Sequence, residues 1–305
     1  MQASKKYIYL EKLLFSSREN DILRFYSNFK SPKELVHWME KRPRQKFKIY
    51  EVNGDKRYTV IIPTRNYLGS HARRCLKIYK GLHIIFLESH GAFFSYSRTI
   101  NYGFKYAVKK YDPNWIIVSN DDMLKVDNVL KLKNQLDKLN RQKVDVVYVS
   151  PGKQQSVKSY LVSPRITYRL YQILFNKCSK IAQRILDKFG ARLFIISCNN
   201  DSIKSQMLKL LRPLLFRTYR EFTSLGSCWI INSDFVRKQR YKVLDDNFII
   251  DTEEDEFVLR HMDNIRASHI NYKIDNYFGA SLGSGCARSL KGLTGIIYLN
   301  YKFSK

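Results

Sequence analysis

The sequence is short of acidic residues, short of cysteine and without a long apolar run. Its 305 residues include 54 Lys and Arg but only 27 Asp and Glu, a net charge of +27. Such a surface attracts polyanions, whether nucleic acid, anionic headgroups or phosphorylated substrates, and charge alone does not choose among them. The five cysteines (Cys75, Cys178, Cys198, Cys228, Cys286) are odd in number, widely spaced and free of any CxxC. They read as reduced thiols of a cytoplasmic protein. The six histidines are equally scattered, so a zinc site is not expected. No window of 18 apolar residues occurs, which excludes a spanning helix from the expectations. The opening MQASKKYIYLEKLLF has neither the apolar run nor the small-residue cleavage site of a signal peptide. No internal repeat and no low-complexity tract is visible. What is present is 44% hydrophobic and 14% aromatic residues, enough for a sizeable core and far from a disordered composition.

Residues 1–57 are polar and mixed, with one clear helix signal. SPKELVHWMEK (31–41) places Ser31 at the N-cap, Pro32 at the first turn, and Leu35 and Trp38 on one face. From residue 58 the texture alternates. YTVIIP (58–63), LHIIFLE (82–88), NWIIVS (114–119) and VDVVYVS (144–150) read as buried strands. HARRCLKIYKG (71–81), SRTINYGFKYAVKKY (97–111) and VDNVLKLKNQLDKLN (126–140) read as the helices between them. Continuously apolar strands alternating with helices predict an α/β fold whose mostly parallel sheet is covered on both faces. Residues 151–220 hold 14 Lys and Arg against 2 Asp and Glu, so this segment supplies +12 of the net charge. Its apolar and basic residues recur at roughly helical spacing. The segment reads either as a solvated basic helix pair packed on the core or as an amphipathic membrane-surface element, with a nucleic-acid patch behind both. A globular texture returns over 221–262, and a basic, aromatic segment closes the chain.

In a parallel sheet, ligands bind at the carboxyl ends of the strands. The first strand ends on Pro63-Thr64-Arg65-Asn66, the second on Glu88-Ser89-His90-Gly91, the third on Asn120-Asp121-Asp122. Each cluster alone has an ordinary explanation: a turn, or a cap on the next helix. Three at successive strand ends predict one crevice. Adjacent carboxylates suit a hard divalent cation, Mg²⁺ or Mn²⁺, which takes oxygen ligands from one or two carboxylates and from substrate phosphates. Arg65, Arg98 and Lys125 lie close by in sequence and could assist with a phosphate. A second acidic cluster, DTEEDE (251–256), also suits a helix start, where carboxylates favour the dipole.

These stretches together resemble the family-2 glycosyltransferases, inverting nucleotide-sugar enzymes of the GT-A fold. TVIIPTRN is similar to the family's opening strand and turn, IIFLES-HG to its second strand, NYGFKYA (101–107) to the helix after it, and WIIVSNDDM to its metal-motif strand. GSCWIINSDFV resembles the acceptor-side segment and LDDNFIIDTEEDEFVLR the catalytic block. The likeness covers roughly 58–150 and 221–262. It implies a nucleotide-sugar-binding half over 58–150, a basic, partly helical insertion over 151–220 and an acceptor and catalytic half over 221–270. An N-terminal extension (1–57) and a basic C-terminal segment (271–305) flank them. It implies donor contacts from Pro63, Thr64, Arg65, Asn66, Glu88, Arg98, Asn101 and Asp121, and a metal held by Asp122 with Asp121. Acceptor-side roles fall to Gly226, Trp229 and Asp246. Counting from Arg260, Glu254 occupies the position of the catalytic base, with Asp255 one residue off as its rival. The sequence departs from the family where the metal motif reads Asn120-x-Asp122 and the catalytic block reads Glu253-Glu254.

The resulting expectation is transfer of a sugar from a nucleoside-diphosphate sugar to an acceptor hydroxyl on a glycan or lipid-linked saccharide. A basic surface without a spanning helix suits a cytoplasmic protein, peripheral at an anionic membrane face. The alternative from another class is a non-catalytic, basic nucleic-acid-binding α/β protein. Against it, no recognisable binding module occurs, and carboxylates in a crevice repel phosphate unless a cation intervenes.

Overall fold

A computed structural model describes residues 2–89, 92–125, 127–152, 155–164, 178–198, 206, 210, 212, 214–277 and 285–303. Three helices come first: α1 (Gln2–Leu14), α2 (Glu19–Ser27) and α3 (Pro32–Lys41). The α3 start follows its sequence signal, with Ser31 Oγ accepting the Glu34 N–H and Pro32 in the first turn. The α/β portion follows as β1 (Phe47–Val52), β2 (Asp55–Thr64), α4 (Ser70–Ile78), β3 (Leu82–Ser89), α5 (Tyr96–Tyr111), β4 (Trp115–Ser119), β5 (Met123–Lys125), α6 (Val129–Asp137) and β6 (Val146–Tyr148). Beyond it lie β7 (Lys158–Pro164), α7 (Ser179–Lys188), β8 (Phe194–Cys198) and β9 (Phe216–Thr223). The chain continues with β10 (Cys228–Asn232), α8 (Ser233–Lys238), α9 (Glu253–His261), β11 (Ala267–His269), β12 (Ile274–Asn276) and α10 (Gly285–Phe303).

The central sheet has the order β1-β3-β2-β4-β10-β6-β11. β3, β2 and β4 are mutually parallel, and β6 and β11 run the same way. Only β1 and β10 oppose them. The α/β expectation with a largely parallel sheet therefore holds. Its core strands are apolar on both faces because both faces are covered. Ile61, Leu87, Ile116 and Val118 face one layer with α5, α9, α10 and the N-terminal helices. Val60, Ile62, Phe86 and Ile117 face the other, with α4 and α6.

β10 inserts antiparallel between β4 and β6, so VDVVYVS is not the next neighbour of the third strand. Other expectations need correction. The basic segment, read as a helix pair, instead contributes strand β7, which pairs with β8 and β9 in a separate antiparallel sheet. Ser159, Tyr160, Leu161 and Val162 are buried in succession, as suits a strand covered on both faces. The later part of the segment, 199–213, lies mostly outside the described residues, and the segment ends in β9. Finally, the cysteines are not all reduced thiols. Cys178 and Cys286 are joined by a disulfide across 108 residues, their Cα atoms 5.4 Å apart, where α7 meets α10.

The N-terminal helices are part of the same core. Leu10, Ile22, Phe25, Leu35 and Met39 are buried. The Tyr26 hydroxyl donates to the Leu290 carbonyl of α10 at 2.8 Å. Arg42 pairs with Glu11 with both side chains nearly out of solvent, and both reach the 93–94 loop, where Arg42 donates to the Phe94 carbonyl and Glu11 accepts the Phe93 N–H. Among the described residues, no helix is long and apolar enough to cross a membrane.

Candidate active site

Strand β2 lies between β3 and β4, with α4 leaving on one side and the β4 connection on the other. Its carboxyl end is thus a topological switch point, where the backbone opens a crevice. Thr64, the last residue of β2, is in register with Glu88 of β3. Its Oγ donates to Asp121 Oδ2 at 2.8 Å, which joins the first and third strand ends directly. The turn after β2 is a local construction: the Asn66 N–H reaches Thr64 Oγ at 3.3 Å, and the Leu68 N–H reaches Asn66 Oδ1 at 3.0 Å. The Tyr67 N–H donates to Glu88 Oε2, which joins the second strand end. Pro63 is buried within β2, while Arg65 and Asn66 stand exposed at the mouth. Two clusters of the expected crevice therefore bond to the first. His90 and Gly91 of the second lie outside the described residues.

Asp122 is 5% exposed, and its Oδ1 has no hydrogen-bond partner among the described residues. Burial, then the Asp121 charge, pushes its carboxyl up to about 6. Burial also raises Asp121, against the Thr64 hydrogen bond. Groups of three or more His, Cys, Asp or Glu that could hold a metal are absent among the described residues. A buried carboxylate oxygen without a donor, beside a second carboxylate, nevertheless fits a hard cation that completes its shell with phosphate oxygens and water. Three neighbours of this pair carry no sequence signal. His71 of α4 offsets the repulsion at both carboxylates. The Arg74 guanidinium lies over the Tyr277 ring at 4.6 Å, and the Tyr277 N–H donates to the Asp122 carbonyl at 2.9 Å. Only the clustering in HARR, just past the first turn, hints at a basic wall here.

The second acidic cluster sits on the same edge of the sheet. β10 runs antiparallel to β4, so its start, Cys228, lies beside Ser119, and the Asn120 N–H bonds to the Ser227 carbonyl at 3.0 Å. Asp255, at the start of α9, faces Ser224 just upstream of β10 and Tyr148 at the end of β6. Glu254 faces Tyr96, the first residue of α5. The turn entering α9 is strained: Asp251 and Thr252 have φ of 59° and 65°, a left-handed conformation disfavoured for a β-branched residue. α10 holds it there. Arg288 forms a two-pronged ion pair with Asp251. A Cβ on Gly295 would sit 2.7 Å from the Asp251 carbonyl oxygen and 2.9 Å from that of Ile250. Glycine is required for this approach.

The four acids of α9 separate by environment. Glu256 is fully buried and receives Arg260 at 2.8 Å and Lys302 at 2.6 Å, a structural knot. Glu253 is buried, and burial together with Asp251 lifts it to about 8. Glu254 is raised by burial and by Glu253 beside it. Burial pushes Asp255 up to about 6, against Ser224. Glu253 Oε2, Asp255 Oδ1, the Tyr96 hydroxyl and the Trp229 indole N–H are all buried without hydrogen-bond partners among the described residues.

Several expected site residues are committed elsewhere. Arg98 donates to the carbonyls of Arg42, Pro43 and Asp246, and so braces α5 against the chain rather than offering a guanidinium to a donor. Asn101 donates to the Leu244 carbonyl and to Asp246 Oδ1, and accepts the Leu244 N–H, which ties Asp246 into the same knot. Trp229 is 0% exposed between Phe104 and Phe257, so its ring faces are closed to a sugar. Its apolar neighbours in sequence are its neighbours in the core. Gly226 has φ 74° and bridges to Gln155 at the turn into β10.

No protein family and no curated protein matches the sequence. Among solved structures, the chain is similar to a 4-diphosphocytidyl-2C-methyl-D-erythritol synthase from Anaerococcus prevotii. The likeness has 9% identity and a TM-score of 0.33, over 81% of this chain and 98% of that one. A likeness this loose says nothing about chemistry.

Proposed function

We propose that the chain is an inverting glycosyltransferase that moves a sugar from a nucleoside-diphosphate sugar to an acceptor hydroxyl on a glycan or lipid-linked saccharide. The observation that carries this reading is the unpartnered, buried carboxylate oxygen of Asp122 at the switch point, with a second acidic cluster on the same edge of the sheet. The family resemblance of the motifs supports it from the sequence side. In this reading Glu88 and the turn 64–67 hold the nucleoside. Thr64 orients Asp121, and the exposed Arg65 meets the diphosphate. Mg²⁺ or Mn²⁺, held by Asp122 and Asp121, would neutralise charge on the departing diphosphate. Glu254 accepts the proton of the attacking hydroxyl, with Asp255 as the rival base. Burial, then the Glu253 charge, raises Glu254, so the base gives up its proton only as pH rises, which sets an acid limb on the rate.

The test is donor hydrolysis. The protein is incubated with a panel of UDP-, GDP- and dTDP-sugars, with Mn²⁺, Mg²⁺ or chelator, and release of the nucleoside diphosphate is followed. Metal-dependent release that is lost in Asp122→Ala supports the reading and names the donor. No release and no nucleotide binding across the panel overturns it and turns attention to nucleic acid. The peripheral membrane part is tested separately: failure to bind anionic liposomes at low salt removes it.

A further inference from the structure

Two carboxylates compete for the role of base, and their surroundings differ. Asp255 faces Ser224 and Tyr148. Glu254 faces Tyr96, and Tyr96 in turn faces the Trp229 indole. The Tyr96 hydroxyl and the Trp229 N–H are both buried, and neither forms a hydrogen bond among the described residues. Two buried donors left without acceptors are unusual, because each loses its bonds to water and recovers nothing. Both side chains are nonetheless fixed. Trp229 is packed between Phe104 and Phe257, and Tyr96 begins a helix whose N-cap, Ser95, is anchored to Gln45 and to the Phe248 carbonyl. The interactions run from the indole to the phenol and from the phenol to the carboxylate. Hydrogen bonds of a catalytic group are often long in a resting enzyme and tighten when substrate binds.

We propose that Tyr96 is the positioning residue of the base: its hydroxyl, steadied by the Trp229 N–H, donates to the Glu254 carboxylate and holds it toward the acceptor. This rests on the transferase reading, and it selects Glu254 over Asp255. A phenol that accepts from an indole becomes a better donor, so its interaction with the carboxylate strengthens. The charged and titratable groups around Glu254 are Glu253 and Asp255 on its own helix and Tyr96 from α5. Arg288 of α10 acts one step away, through Asp251 and Glu253. Of these, only Tyr96 favours the charged form of Glu254.

The experiment has two arms. In the first, ¹³C-carboxyl NMR follows glutamate titration in Glu253→Gln protein, with and without Tyr96→Phe, so that one member of the repelling pair remains. Losing the donor should raise the Glu254 proton affinity about tenfold, moving its midpoint upward by about one pH unit. An unmoved midpoint overturns the proposal. A melting curve checks that Tyr96→Phe keeps its fold. In the second arm, the hydrolysis of the panel's best donor is measured against pH for wild type, Tyr96→Phe and Asp255→Asn. The acid limb should move upward with Tyr96→Phe, with a lower kcat and little change in KM. If the NMR midpoint moves but the acid limb does not, or if Asp255→Asn alone abolishes turnover, Glu254 is not the base and the proposal fails. If wild type hydrolyses no donor, the transferase reading fails, and the NMR arm still decides the contact.

Discussion

Gly295→Ala tests the notch between α10 and the strained turn. In an ordinary helix interior, Gly→Ala gains roughly 1 kcal/mol from backbone entropy alone. Here the new methyl would lie 2.7 Å and 2.9 Å from two carbonyl oxygens, those of Asp251 and Ile250. Backbone atoms cannot rotate aside as a side chain can, so α10 or the turn must shift. Overpacking of this kind costs about 1–3 kcal/mol, and with two backbone oxygens in the way the upper part of that range applies, for a net loss of up to about 2 kcal/mol. In a chain of this size that lowers Tm by a few °C, roughly 2–4 °C per kcal/mol. The assay is urea unfolding with unchanged m-value, beside thermal melting. Ser289→Ala in the same helix is the control, expected to gain up to about 0.5 kcal/mol from helix propensity, since it gives up only an exposed 3.3 Å bond to the Gly285 carbonyl. A Gly295→Ala protein as stable as wild type, or more stable, refutes the reasoning. Donor hydrolysis by the variant should fall more than its stability does, because the turn carries Glu253 and Glu254.

Further outcomes follow from single contacts. Arg42→Met leaves Glu11 buried and unpaired and should cost about 3–5 kcal/mol in urea unfolding, while the double variant Glu11→Leu, Arg42→Met recovers much of that. Glu253 keeps its proton in the fold up to about 8 against an ordinary 4.5, so folding takes up a proton between those values. Stability therefore falls as pH rises through that window, and Glu253→Gln should melt higher than wild type at pH 7, by up to about 3 kcal/mol, but not below pH 4. Equal melting at both pH values refutes it. Ser31→Ala removes the α3 cap and should cost about 1 kcal/mol by the same unfolding assay.

The strands that build the crevice were legible because burial on both faces leaves an uninterrupted apolar run, as in YTVIIP, LHIIFLE and NWIIVS. Their ends were legible too, since polar residues follow at once. β1 was not: its FKIYEV is half-buried at the sheet edge, where alternation with Lys48 and Glu51 hides it. The insertion of β10 between β4 and β6 is a long-range choice that CWIIN does not encode. Arg98 and Trp229 illustrate the harder limit. A guanidinium near a crevice and an indole near an acceptor segment look alike in sequence whether they meet ligand or the protein's own carbonyls and rings. His71, Arg74 and Tyr277 become neighbours of the acidic pair only through packing of α4 against β5 of the two-stranded β5–β12 sheet.

The contact of α10 with α2 and α3 has a consequence for how the protein is made. The Tyr26 hydroxyl finds the Leu290 carbonyl 264 residues later. At ordinary synthesis rates, the apolar faces of the first helices stay uncovered for about 15–50 s while the rest of the chain emerges. A growing chain with Phe25, Leu35 and Met39 open to solvent for that long exposes apolar surface that favours aggregation. Its yield in a cell is then set by how fast the last helix arrives as well as by how stable the finished fold is.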